Sequence, residues 1–407
     1  MKINMKHFIK ALFTTEAFVE KGIYGIPIEH GLRVSFVSLK LAKELNLSHE
    51  EIFDLVLLAL FHDSGITLHE KSAIVKKEKS NINSILISSK EHCILGEENI
   101  KYIPFFSNPK NVLLYHHENF DGSGPFGIAG NDIPIMSQII YLVGILDHVF
   151  NFELASKNTN IKEEMLKYSI ENSGKHFSPK LVNTFSRLYS DWKFWDVISN
   201  KVIFEEIDKE LKDYLVDVGY STVLDMSSVF SRIIDLKSIF TGEHSSGLSK
   251  KMRRMIEHYH FNEIHGLKLL IAADLHDLGK VGISNDILDK EGTLTSVEFD
   301  EIKKHPTIAY ECLKCFDEFE DINQWIYSHH EKLNGTGYPR GLRDTEIDFN
   351  SRLLSCLDIF QALGENRPYR DGYSKEKAFE ILNDMANNNL IDKNICEDIF
   401  IVFKDDL

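Results

Sequence analysis

The residues of this chain best placed to do chemistry are imidazoles and carboxylates set side by side. In the C-terminal half, His244 precedes the pair His276-Asp277, then come His305, the doublet His329-His330 and Asp358. Neutral imidazoles with carboxylates suit divalent ions such as iron or manganese. Neighbours on a helix point about 100° apart, so two adjacent ligands reach different ions only if the ions sit between helices. A carboxylate such as Asp277 can bridge two ions. Two metals about 3.5–4 Å apart generate a hydroxide at neutral pH and neutralise the charge that builds up on an attacked phosphodiester. The expected chemistry is metal-dependent phosphodiester hydrolysis.

The same pattern occurs earlier. His30, His62-Asp63, His92, His116-His117 and Asp147 repeat the order, with offsets 276 − 62 = 214, 305 − 92 = 213, 329 − 116 = 213, 358 − 147 = 211 and 244 − 30 = 214. Ten of the 18 histidines belong to the two sets. A lone buried histidine is usually a core residue, but seven positions recurring twice point to metal binding in one copy at least. The N-terminal set, His30, His62, Asp63, His92, His116, His117 and Asp147, is therefore a second expected metal site.

The elements that must position these residues read as helices. Ser48 with Glu51, and Thr295 with Glu298, are capping boxes that open amphipathic segments. Alternating strand patterns are nearly absent, so the expected class is all-α. The duplication divides the chain into residues 1–190 and 235–407. The aromatic and charged stretch 191–234 is read as a helical connector.

At 407 residues the chain has room for two domains, and its composition is that of a globular protein. Lys+Arg 46 against Asp+Glu 62 gives a net charge of −16, which argues against a DNA or RNA duplex or an anionic membrane as partner. A small anionic substrate remains compatible with basic residues gathered locally. No apolar stretch approaches the roughly 20 residues a membrane helix needs, and Lys10 interrupts the run a signal peptide requires, so a cytoplasmic location is expected. Cys93, Cys312, Cys315, Cys356 and Cys396 show no disulfide framework. Cys312-x-x-Cys315 is read as two thiols one helical turn apart.

The motifs HDLGK at 276–280, HPTIAY at 305–310, HHEKLNGTGYPRGL at 329–342 and RPYR at 367–370 resemble the HD-GYP domain, a branch of the HD phosphohydrolase superfamily. The resemblance covers nearly all of residues 235–407. It implies two tandem helical HD-type domains and hydrolysis of a cyclic dinucleotide, foremost cyclic di-GMP to its linear dinucleotide and on to GMP, with cyclic GMP-AMP as the alternative substrate. It further implies two divalent ions, iron or manganese, held by His244, His276, Asp277, His305, His329, His330 and Asp358. Asp277 and Lys280 are the implied catalytic residues. Lys280, Gly337, Tyr338, Pro339, Arg367 and Arg370 are the implied substrate contacts. Three positions depart from the family pattern: Phe240 replaces a Glu linked to a third metal, Asn334 an Asp, and Gln361 an acid.

The first copy keeps the ligand pattern but not the substrate side. Ile66 stands for Lys280, GSGPFG at 122–127 for the GYP loop, and the RPYR stretch falls on Ser156 to Thr159. Residues 116–157 hold one Lys against five acids, whereas 329–370 hold six Lys/Arg against six. An anionic dinucleotide would be repelled there. The N-terminal half is accordingly read as a degenerate copy with a structural or regulatory role, through a homodimer or a signalling partner. A receptor that binds a cyclic dinucleotide without hydrolysing it is the reading from outside enzymology.

Overall fold

The computed structural model describes residues 1–11, 29–65, 90–237, 244–290, 292–366 and 371–404. It is helical nearly throughout; among the described residues the strands are β1 (Lys2–Asn4) and β2 (Leu215–Asp217), which pair in one small sheet. The all-α reading therefore holds. No helix among the described residues is long and apolar enough to cross a membrane.

The chain forms two compact units, Asn4–Val216 and Asp217–Leu407 with Met1–Ile3. In the first, α1 (His30–Glu44) packs on α2 (His49–Phe61), followed by α3 (Lys90–Ile100) and α4 (Ile135–Phe150). The stretch read as a connector is divided between the units. Helices α5 (Trp192–Ser199) and α6 (Ile203–Glu210) belong to the first, where α6 packs on α1, and α7 (Tyr220–Lys237) belongs to the second. Apolar burial decides this: Phe194 and Trp195 of α5 are buried, with Phe194 stacked on Phe36 of α1 at 5.8 Å.

In the second unit α8 (His244–His258) and α9 (Glu263–Leu275) repeat the α1–α2 pair, and α7 packs against α9. There follow α10 (His305–Leu313), α11 (Glu320–Ser328) and α12 (Phe349–Gly364). Three pairs begin at the same offset: His30 and His244, His49 and Glu263, Ile135 and Phe349 are each 214 apart. Helix α2 opens on Ser48 with both bonds of its capping box, and every residue from Ile52 to Phe61 is buried. A helix apolar on all sides is the centre of its unit, and each fully buried Leu or Phe contributes about 1.5–3 kcal/mol.

Both central helices end on the His-Asp pair, and the glycine two residues beyond the Asp lets a second backbone segment approach closely. A Cβ on Gly279 would lie 1.8 Å from the carbonyl oxygen of His305, and one on Gly65 2.0 Å from that of His92. These glycines hold two ligand-bearing segments in backbone contact. Gly279→Ala is expected to lower the stability of the second unit by about 1–3 kcal/mol, the range for overpacking, read as a drop in its urea midpoint.

Candidate metal centres

At each helix end the last carbonyls have no partner inside the helix. The site histidines use this. The Nδ1–H of His276 donates to Ala273 O at 2.8 Å, that of His305 to Ile302 O at 2.7 Å and that of His329 to Ile326 O at 2.6 Å. One ring nitrogen is thereby committed to the backbone, and the tautomer this imposes leaves the Nε2 lone pair facing inward.

The Nε2 atoms converge. Those of His244 and His276 are 3.3 Å apart, and those of His305 and His329 are 3.5 Å apart. Asp277 lies between the pairs: its Oδ2 is 3.3 Å from His276 Nε2 and 3.9 Å from His244 Nε2, while its Oδ1 is 3.5 Å from His305 Nε2. Asp358 Oδ1 is 3.1 Å from His244 Nε2 and 3.8 Å from His276 Nε2. The His330 ring is 5.0 Å from His305 and 4.0 Å from His329. All seven expected C-terminal ligands thus meet, in overlapping groups whose donor atoms lie within 4.8 Å of one another.

The electrostatics favour a cation. Burial opposes ionisation of Asp277 and Asp358, yet the charge of His276 beside the first and the hydrogen bond from His244 to the second hold both well below the usual carboxylate range. Burial alone would lower His244, but Asp358 and Glu365 raise it to about 9. Burial keeps His305 down at about 3 and His329 at about 4, so both are neutral near pH 7. Neutral His305 and His329 beside ionised carboxylates suit a divalent ion, whose binding would displace the proton that the same carboxylates hold on His244.

An outer layer fixes these ligands. The Nδ1–H of His244 donates to Glu365 at 2.9 Å, and Gln361 Nε2 donates to Glu365 Oε1 at 2.6 Å. Gln361, a departure from the family pattern, therefore supports the outer partner of a ligand histidine. Glu331 accepts the backbone N–H of Arg340 at 2.7 Å and of Leu342 at 2.9 Å, clamping the GYP loop. Gly337 lets that loop close, since a Cβ there would sit 2.3 Å from Lys332 N. The loop, with a cis bond between Tyr338 and Pro339, lays the Tyr338 ring 4.8 Å from that of His330. Lys280 Nζ donates to Asp277 Oδ2 at 2.5 Å. Arg367 and Arg370 lie outside the described residues.

Glu331 was absent from the sequence expectations, although its signal was present. Glu118 stands 213 residues earlier and accepts the N–H groups of Phe126 and Ile128 in the same way. Gly124 matches Gly337, with a Cβ that would lie 2.6 Å from Asn119 N. Tyr338 and Pro339 are reduced to Pro125, so the first unit has the clamp without the tyrosine. Ile66 lies outside the described residues.

The first unit also departs from the expected ligand set. Its His62 and His116 repeat the backbone bonds, to Ala59 O at 2.7 Å and Leu113 O at 2.5 Å. Helices α4 and α12 correspond at an offset of 214, which places Gly144, not Asp147, opposite Asp358. Gly144 lines the cavity shared by His30, His62, Asp63 and His117, and a Cβ on it would be 3.9 Å from His62 Nε2. Asp147, one turn further on, accepts Arg33 Nε at 2.7 Å, Arg33 Nη2 at 2.8 Å, the His30 Nδ1–H at 2.7 Å and the backbone N–H of Phe152 at 2.9 Å. The expectation that Asp147 is a metal ligand is corrected. It is the outer partner of His30, neutralised by a guanidinium that stands where α8 has Gly247.

Arg33 and Asp147 are 1% and 0% exposed, so removing one partner strands a charge. Arg33→Met is expected to destabilise the first unit by about 3–5 kcal/mol, and Arg33→Met/Asp147→Leu to recover most of it, measured by urea unfolding.

The HD domain family model matches residues 24–181 and 228–395. The chain is 25% identical over 375 residues to "3'3'-cGAMP-specific phosphodiesterase 1" of Vibrio cholerae, covering 90% of this chain and 85% of that protein. It is 26% identical to "3'3'-cGAMP-specific phosphodiesterase 3" of the same organism, with 88% and 86% covered. A "Cyclic di-GMP phosphodiesterase" of Thermotoga maritima is 31% identical over 184 residues, 45% of this chain and 48% of that protein. A crystal structure of a cyclic GMP-AMP specific phosphodiesterase of V. cholerae shares the fold, with a TM-score of 0.61 and 23% identity over 99% of this chain and 98% of that one. Matched over both of its helical repeats, the chain belongs to the HD domain family.

Proposed function

We propose that the protein is a metal-dependent phosphodiesterase that opens a cyclic dinucleotide, and that the working site is in the second unit. The observation that carries this reading is Asp277, whose two oxygens face different imidazole groups: Oδ2 faces His244 and His276, and Oδ1 faces His305. His244, His276, Asp277 and Asp358 would hold one divalent ion, and Asp277, His305, His329 and His330 the other. Iron or manganese suits this set of imidazoles and carboxylates. Such a pair supplies Lewis-acid stabilisation of the phosphate and activation of water.

The remaining work falls to the chain's own side chains. Glu365 orients His244 through Nδ1, and backbone carbonyls orient His276, His305 and His329. Lys280, held on Asp277, brings a mobile point charge to the edge of the site, where a phosphate oxygen can take it over. Tyr338 roofs His330 with an aromatic face suited to a base or ribose. Arg367 and Arg370 are proposed as the planar forks that grip the second phosphate. The first unit, lacking the tyrosine and the Asp358 equivalent, is assigned no turnover.

His276→Ala/Asp277→Ala is expected to abolish hydrolysis, whereas His62→Ala/Asp63→Ala leaves most of it, with metal-reconstituted full-length protein assayed for the linear product. Loss of turnover in the N-terminal variant alone would reverse the assignment of halves.

Between substrates, 3'3'-cyclic GMP-AMP is favoured, because the relatives matched over 90% and 88% of the chain carry that specificity in their names. This shifts the balance from the cyclic di-GMP expected first. Cyclic di-GMP is retained as the second reading on the Thermotoga relative, which covers 45% of the chain at higher identity. Side-by-side hydrolysis is expected to give the higher kcat/KM for cyclic GMP-AMP. A preference for cyclic di-GMP selects the second reading, and tight binding without product from metal-loaded protein overturns both.

A further inference from the structure

Away from the proposed active site, the first unit gathers four donors of a different character. His92, Cys93, His116 and His117 have donor atoms all within 4.8 Å of one another. His92, Cys93 and His116 are each 0% exposed. Cys93 Sγ is 3.7 Å from His92 Nε2. Tetrahedral zinc, with bonds of about 2.3 Å to sulfur and 2.0–2.1 Å to nitrogen, sets sulfur and nitrogen about 3.6 Å apart. The His117 ring is 4.9 Å from His92 and 4.1 Å from His116, so the three imidazoles crowd one point beside the thiol.

The nitrogens themselves indicate a ligand. His116 gives its Nδ1–H to Leu113 O, and its Nε2 is buried with no hydrogen-bond partner. Both ring nitrogens of His117 are likewise buried without one. Leaving such groups unpaired costs about 1–3 kcal/mol each, a cost that coordination removes at the one nitrogen of each ring that binds.

The donor set is also chemically unlike its counterpart. The second unit has Pro306 at the position of Cys93, 213 residues on, so the thiol is particular to the first unit. Asp63, the counterpart of Asp277, is kept but groups with His30 and His62, while the four donors form a group of their own. A thiolate added to three imidazoles moves the preference from manganese-like ions toward zinc.

We propose that His92, Cys93, His116 and His117 form a closed zinc-class site that braces the first unit. Four protein ligands fill a tetrahedron and leave no position for water, as in structural rather than catalytic zinc sites. Cys93 binds as thiolate, its proton passing to solvent as the ion enters. The N-terminal copy then carries a sulfur-bearing clasp of its own beside the His30, His62 and Asp63 group.

Cobalt(II) loaded into the metal-stripped full chain reads this directly, because thiolate gives a sulfur-to-cobalt charge-transfer absorption that imidazole and carboxylate do not. Among the described residues, the candidate ligand groups of the second unit contain no cysteine. The absorption is expected in the wild type and in His276→Ala/Asp277→Ala, to persist in Cys312→Ser/Cys315→Ser, and to vanish in Cys93→Ser as the metal content falls by one ion per chain. His117→Gln, which leaves the thiol in place, is expected to shift or weaken it. A loaded wild type without the absorption overturns the proposal, as does an absorption that survives Cys93→Ser, is unchanged in His117→Gln or disappears with Cys312 and Cys315.

Discussion

The structure depends on one local bond used repeatedly: a histidine at a helix end or turn gives its Nδ1–H to the carbonyl three residues back. His276, His305 and His329 make it in the second unit, and His62 and His116 in the first. It gives the carbonyl a side-chain partner, fixes the tautomer, and aims Nε2 away from the backbone. The ligand atom is set before any ion is bound. The surrounding helices only have to bring their ends together, and buried α2 and α9 supply the apolar surface that does so.

Around that bond the two units have diverged in electrostatics rather than in architecture. In the second, Asp277 and Asp358 are held ionised and His244 is raised to about 9, a setting that attracts positive charge. In the first, Gly144 stands at the Asp358 position and Asp147, one turn on, is paired with Arg33. Burial lowers His116 to about 3, as it lowers His305 and His329 in the second. The same helices at the same spacing therefore set a second carboxylate, Asp358, beside the imidazoles in one unit and a thiol, Cys93, beside them in the other.

Much of this was legible in the chain. The duplication, the helical class and the capping boxes at Ser48 and Thr295 follow from spacing and local hydrogen bonding, and the structure has both boxes. The glutamates after each His-His pair were visible at a 213 spacing too, but nothing in a one-dimensional pattern says that Glu331 clamps a loop nine to eleven residues away. The division of residues 191–234 between units was hidden, because helical amphipathicity does not say which core the apolar face will join.

What the sequence by itself determined is the repeat and the positions of the candidate ligand histidines bonded to the backbone, since their geometry is set by the chain within three residues. What only tertiary structure decided is register and pairing. Asp147 falls three residues short of the 214 offset, nearly one helical turn, so in sequence it imitates Asp358 while Gly144 takes that place in space. Arg33 meeting Asp147, Gln361 reaching Glu365 and Cys93 lying beside three imidazoles are contacts between segments far apart in the chain. Local propensity carries no information about them, because they form only when the buried faces of different helices have chosen one another.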